Sequence, residues 1–183
     1  MQTVTPSDHH TSTHRAAPRR ALTMAAAAIV VTMGWYFFRP ELLFISRQVN
    51  ETFPATAAHM TTASTPAPMP LSQGRFHGVA HATHGLATIY QLPDGTRALR
   101  LTEFETSNGP DVQVYLVAAT DATDNDTVTT AGFMHLGALK GNVGEQNYAV
   151  PAEVDLATYQ ALTIWCRRFG VNFGTAPLTH QRS

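Results

Sequence analysis

The chain has 183 residues, with 12 Lys and Arg against 13 Asp and Glu, a formal net charge of −1 and only 14% charged residues. This balance argues against a nucleic-acid-binding protein, which needs a basic surface to meet phosphates. The single cysteine excludes a disulfide within the chain and a four-cysteine zinc site. The low charged share, against ~25% in average proteins, indicates a membrane span, an uncharged linker or both.

An uncharged run occupies residues 21–38 and is flanked by arginines on both sides. As a helix it would extend about 27 Å at ~1.5 Å per residue, close to the ~30 Å thickness of the hydrocarbon layer. Trp35 and Tyr36 lie near its far end, where such rings favour the membrane interface. We therefore expect a transmembrane signal anchor over 21–38, preceded by a short cytoplasmic tail over 1–20.

Two alternatives remain open for this run: a cleaved signal peptide and a buried core helix. A signal peptide has a shorter apolar region and small residues at its cleavage site, whereas bulky aromatic residues stand here. The anchor predicts a single-pass protein of the cell membrane. A large trailing domain translocates largely regardless of flanking charge, so we expect the C-terminal domain to be periplasmic or extracellular.

Residues 39–73 read as a juxtamembrane segment followed by a linker. Of the 23 residues over 51–73, 16 are Ala, Thr, Pro or Ser. Such a stretch buries too little apolar surface to offset the entropy of ordering it. We expect a disordered Thr/Ala/Pro-rich tether that holds a folded domain away from the membrane.

The folded part is predicted over 74–178, with a short tail over 179–183. Short β-rich runs alternate with turn signals, and Pro93-Asp94-Gly95 marks a hairpin between two of them. The pattern predicts an all-β fold, an antiparallel β-sandwich or barrel-like domain. The expected strands are 86–92, 96–104, 112–118, 132–136, 148–150, 161–169 and 171–173.

A series of ordered motifs runs through this domain: Gly74-x-Phe76, His81-x-x-x-Gly85, Asn108-Gly109-Pro110-Asp111-Val112, Leu136-Gly137-x-Leu139-Lys140-Gly141-Asn142 and Ile164-Trp165-Cys166-x-x-Phe169. Together they resemble the DM-thirteen domain, also called the electron-transfer DM-thirteen domain, over residues 74–178. The resemblance implies a β-sandwich module of the cell surface with a role in electron transfer or oxidative modification of surface proteins. It also implies that the cysteine of the Trp-Cys motif, here Cys166, acts as a naked thiol or as a ligand to a prosthetic group such as haem.

The residues themselves allow three interpretations of Cys166. In a strand it shares a face with Leu162 and Ile164, which predicts an inward-facing side chain that packs as a small hydrophobe. Alternatively, the cationic neighbours Arg167 and Arg168 favour a reactive thiolate. An intermolecular disulfide is the third possibility.

The segment that opens the domain holds three histidines: His77, His81 and His84. His81 matches the family motif. With Cys166 and a partner such as Met134 or His135 it is a candidate ligand of haem or copper. The alternative is that His81 hydrogen-bonds a neighbouring turn. Covalent c-type haem attachment is excluded, because the sequence has no C-x-x-C-H motif.

Two acidic features are expected to be structural. Asp121, Asp124 and Asp126 crowd one loop, but the spacing and terminal Glu of an EF-hand are missing, so a solvated loop is favoured over a calcium site. Asp111 is expected to brace the Asn-Gly-Pro turn.

The sequence therefore predicts a membrane-anchored extracytoplasmic domain with an electron-transfer or redox role centred on Cys166. The alternative is a non-catalytic binding or adhesion module of the cell envelope in which the cysteine is structural. The expected partners are the membrane, through the N-terminal helix, and a redox or envelope protein. No hydrolase motif is present, and whether the protein is an enzyme stays open.

Overall fold

The computed structural model describes residues 17–38, 46–54 and 67–180. The chain divides into two compact units, and the first contains helix α1, Ala17–Phe38. Bulky apolar side chains of α1 are exposed to solvent, among them Leu22, Val30 and Trp35. Residues 1–16 of the tail predicted over 1–20, and residues 39–45, lie outside the described segments.

In the part of the chain that the structure describes, no helix combines the length and the apolar character needed to cross a membrane. The helix predicted over 21–38 is present, but its transmembrane character is not confirmed.

The second unit is a sandwich of two sheets. Within the described residues, one sheet has the order β1-β8-β5-β4-β2-β11 and the other has the order β3-β10-β9-β6-β7. All neighbours pair antiparallel except β1 and β8. The strands are β1 (Gln48–Asn50), β2 (Met69–Arg75), β3 (His77–Gly78), β4 (His84–Gln91), β5 (Arg97–Glu105), β6 (Val112–Val117), β7 (Phe133–Ala138), β8 (Val143–Val150), β9 (Ala161–Cys166), β10 (Val171–Pro177) and β11 (Thr179–His180). The predicted antiparallel β-sandwich is confirmed.

The hairpin of β4 and β5 forms at the predicted turn. Gly95 has a φ of 84°, a left-handed conformation that glycine adopts without strain. The Asp94 carboxylate accepts hydrogen bonds from the backbone N–H and the hydroxyl of Thr96, at 2.9 and 2.7 Å. The turn sets a register in which Ile89 pairs with Leu99, and both side chains are fully buried between the sheets.

Ordered structure begins before residue 74: β1 lies in the predicted juxtamembrane segment, and the prediction of a disordered linker over 51–73 is wrong for parts of that range, which include the start of β2. Strand β1 pairs with β8, and most of β2 precedes Gly74. The Glu51 carboxylate accepts hydrogen bonds from Lys140 Nζ at 2.8 and 2.9 Å and from the Asn147 N–H at 2.8 Å. Local composition did not reveal these elements, because they are stabilised by pairing with other strands: β1 pairs with β8, and β2 pairs with β4 and β11. Residues 55–66 of the predicted linker lie outside the described segments.

The sheets bury two apolar clusters. The main cluster lies between the sheets and includes Leu101, Phe104 and Ile164. A second cluster lies on the outer face of the β9 sheet, where Trp165 and Tyr115 meet Val128 of helix α2, Asn125–Thr130. Helix α2 begins in the acidic loop, where the Asp124 carboxylate caps it by accepting a hydrogen bond from the Thr127 N–H at 2.7 Å.

Candidate functional site

Cys166 is the last residue of β9, a strand with a neighbour on each side. Its register partners are Val112 on β6 and Val171 on β10. The side chain is 1% exposed, and its thiol donates a hydrogen bond to the backbone carbonyl of Pro110 over an Sγ–O distance of 3.2 Å. The sulfur is therefore sealed at one end of the sandwich.

Strand alternation explains why the sulfur points inward. Leu162 and Ile164, two and four residues earlier, belong with Cys166 to the cluster between the sheets. Trp165 points to the opposite face and joins the outer cluster. The inward orientation predicted from the sequence is thus observed.

The neighbouring arginine interacts with a loop and not with the sulfur. Arg167 donates from Nε and Nη2 to the two carboxylate oxygens of Asp111, at 2.8 and 3.1 Å. Its backbone N–H also donates to the Asp111 carbonyl at 3.0 Å. The hydrogen bond to Asp111 raises the pKa of Arg167. The guanidinium of Arg167 is therefore paired with a carboxylate of that loop.

Residues 108–111 form a cover loop over the sulfur. Asp111 braces it as expected: besides Arg167, it accepts a hydrogen bond from Gln113 Nε2 at 2.6 Å. Asp111 also has a φ of 61°, a left-handed conformation that is uncommon outside glycine. Gly109 packs so closely that an added Cβ would lie 2.8 Å from Cζ of Phe173. The loop is held by polar contacts on one side and by an aromatic ring on the other.

A small apolar pocket of about 160 Å³ adjoins the cover loop. Its wall is formed by His81, Asn108, Gly109, Pro110, Phe169, Val171 and Phe173. The rings of His81 and Phe173 lie with centroids 4.0 Å apart and planes tilted by 42°. Pro110 and Val171 each belong to this wall and also contact or pair with Cys166. The pocket and the thiol are therefore neighbours that the cover loop separates.

The structure brings His81 and Cys166 to the same end of the domain without a hydrogen bond between them among the described residues. The other candidates lie elsewhere. His77 Nε2 donates to the Asp121 carboxylate at 3.0 Å, His84 is exposed at the start of β4, and His135 Nε2 hydrogen-bonds Gln113 at 2.8 Å. Within the described segments, no group of three or more His, Cys, Asp or Glu side chains is arranged to hold a metal ion.

These residues do not fit a haem or a copper ion. The pocket of about 160 Å³ is smaller than the ~300 Å³ at which cofactor sites usually begin. The sulfur is buried and hydrogen-bonded to the Pro110 carbonyl, and the described residues place no group of three His, Cys, Asp or Glu side chains around it. Of the two roles that the resemblance implies for Cys166, the geometry is compatible with a naked thiol.

Sequence reasoning missed Phe173, Val171 and the Pro110 carbonyl as parts of this site. The strand predicted over 171–173 places Val171 and Phe173 on the same face, and this was the only sequence pattern that could have linked them. A backbone carbonyl carries no side-chain signal, so its contact with the thiol was not predictable.

Comparison with known protein families gives a match over the β domain. The family described as Electron transfer DM13 matches residues 75–178, more than half of the 183 residues. No curated protein and no solved structure matches the chain. The matched range contains the cover loop, the apolar pocket and Cys166, and the chain belongs to the electron-transfer DM13 family.

Proposed function

We propose that this chain is a redox protein whose DM13 domain takes part in electron transfer, with Cys166 as the reacting group. The family description supports a redox role. The observation that carries the assignment to Cys166 is the contact of its thiol with Pro110, because that residue also forms the wall of the apolar pocket. In this proposal, movement of the cover loop breaks the hydrogen bond to Pro110 and exposes the sulfur on the side of that pocket.

The chemistry open to a single cysteine is limited. The chain has no second cysteine to close a disulfide, so its reversible oxidation products are a sulfenic acid or a mixed disulfide with a partner. In the exchange reaction, the Cys166 thiol loses its proton and the sulfur attacks one sulfur of a partner disulfide. The old S–S bond breaks, one new S–S bond forms, and the departing thiolate takes up a proton. The partner disulfide is the oxidant.

Burial implies that the reaction follows opening of the cover loop. A thiol that is 1% exposed and hydrogen-bonded to a carbonyl cannot be approached in line by a disulfide. The resting domain therefore protects the sulfur, and its reactivity is set by how often the loop opens.

The experiment is a reaction of the full chain with 2-hydroxyethyl disulfide under native conditions, followed by intact mass. We expect one adduct that forms slowly and is removed by a dithiol reductant. The C166A chain, which has no sulfur to react, should gain none. An adduct that forms in urea but never under native conditions would contradict the proposal.

We also propose that the chain is attached to a membrane through α1 and that its β domain is exported. The proposal is supported by the uncharged run over 21–38 and by the exposed apolar side chains of α1. The test is alkaline extraction of membranes together with the N-terminal sequence of the mature protein. Release by alkali, or a mature chain that begins near residue 40, would contradict the attachment.

A second candidate function is a non-catalytic binding or adhesion module of the envelope. The burial of Cys166 among core side chains favours it. In this case C166A retains partner binding and loses only packing. Capture of the same envelope partner by the wild-type and C166A chains, with no native thiol reaction, would select this function.

A further inference from the structure

The apolar pocket has the size of one six-membered ring. An engineered cavity of about 150 Å³ lined by apolar side chains is known to bind benzene. The volume here is about 160 Å³, and nearly all of the surface that lines it is apolar. A ligand that fills the pocket is therefore a single ring and not a larger fused system.

The wall is suited to an aromatic ring in particular. Phe173 and His81 place two aromatic side chains in the wall, at a centroid distance of 4.0 Å. Phe169 adds a third ring and is 63% exposed, so an apolar side chain stands at the solvent boundary of the pocket. Aromatic rings gain about 0.5–1.5 kcal/mol from such neighbours beyond the area that they bury.

One polar group in the wall is available for recognition. The ring nitrogens of His81 make no hydrogen bond to any part of the chain that the structure describes. An imidazole carries one donor and one acceptor when neutral, so it can pair with a hydroxyl group on the ligand. Asn108, the first residue of the cover loop, is a second polar residue in the wall.

We propose that the apolar pocket binds one hydroxylated aromatic ring, of the phenol or hydroquinone class, which packs on Phe173 and hydrogen-bonds to His81. The ring site follows from the pocket itself. The functional role of this site rests on the proposed redox function. A hydroquinone is the reduced member of a two-electron couple, and a ring bound in the pocket would lie beside the cover loop of Cys166.

The test is saturation-transfer NMR on the full chain with hydroquinone under argon, with 1,4-cyclohexanediol as the non-aromatic comparison. We expect saturable transfer to the hydroquinone ring protons and none to the diol. H81F keeps a ring in the wall but loses the hydrogen bond, so the affinity should fall about two- to tenfold. H84F, the matched change at an exposed histidine outside the pocket, should leave the affinity unchanged.

Two further variants alter the space in the pocket. V171F places a phenyl group inside it and should abolish saturable transfer. F169A removes a largely exposed ring at the mouth, which the fold tolerates, and should weaken binding. Equal binding of hydroquinone and the diol, or unchanged binding in both F169A and a cooperatively folded V171F, would overturn the proposal. Such a failure leaves the thiol proposal intact, because that is read from mixed-disulfide formation at Cys166 and not from ring binding.

Discussion

Loosening the cover loop should speed the reaction of Cys166. R167Q removes the ion pair with Asp111 and keeps the backbone hydrogen bond between the same residues. Because the Arg167 side chain is 59% exposed, solvent screens the ion pair, and the pair holds the loop only weakly. If opening precedes reaction, loss of the pair favours the open loop, and the labelling rate should rise by a small factor, about two- to fivefold.

The assay is the pseudo-first-order rate of thiol labelling of the native full chain, measured by intact mass. R168Q is the matched control, because it removes the same charge from the next residue without touching Asp111. D111N breaks the ion pair from the other side, and Asn tolerates the left-handed conformation at that position, so it should act like R167Q. Equal labelling rates in R167Q and R168Q would refute the gating role of the cover loop.

Three further predictions concern the frame of the domain. Gly85 and Gly95 both have positive φ, but an added Cβ at Gly85 would lie 2.8 Å from facing backbone atoms whereas Gly95 meets open space. In chemical denaturation, G85A should therefore lower the free energy of unfolding by about 2–5 kcal/mol and G95A by about 1–2 kcal/mol. Equal losses in the two variants would contradict the packing argument. Burial opposes ionisation of Glu51, but its hydrogen bonds, led by that from Lys140, outweigh burial and lower its pKa below 4.5. The stability that ionised Glu51 contributes is fully present above its unfolded pKa and is lost as pH falls below about 4.5. In thermal melts, acid should therefore lower the melting temperature of the wild type more than that of E51Q. Melting temperatures that fall in parallel with pH in the two chains would contradict a stabilising role of this network. Burial raises the pKa of Tyr148 to about 12, so ultraviolet titration should show a phenol that ionises near pH 12 and is missing in Y148F. Because this phenol ionises more easily in the unfolded chain, the stability of the domain should fall as pH rises above 10. A titration curve unchanged by Y148F would contradict this assignment.

The central strands were predictable because their sequence periods and turns are local. The turn Pro93-Asp94-Gly95 predicted the hairpin of β4 and β5, and alternation at Leu162 and Ile164 predicted the inward orientation of Cys166. In each case a few neighbouring residues specify the conformation, and burial of one face confirms it.

The site was less predictable, since it depends on contacts between distant segments. Nothing near Cys166 in the sequence indicates that the carbonyl of Pro110, 56 residues away, accepts its hydrogen bond. The sequence indicated Arg167 as a cation next to the sulfur, but in the structure its guanidinium pairs with Asp111, 56 residues earlier. The sequence predicted a loop in place of helix α2, because the helix has only six residues and begins within an acidic stretch.

Strand β2 has a practical consequence for shortening the chain. The family match begins at Arg75, whereas β2 runs over Met69–Arg75 and lies between β4 and β11. A fragment cut to the matched range loses β2. The eight-residue β4 then becomes an exposed edge strand whose amide and carbonyl groups on that side have no hydrogen-bond partners. Exposed edge strands of this length pair with other chains, so such a fragment should aggregate. An expression fragment of this domain should begin no later than residue 46, so that it keeps both β1 and β2.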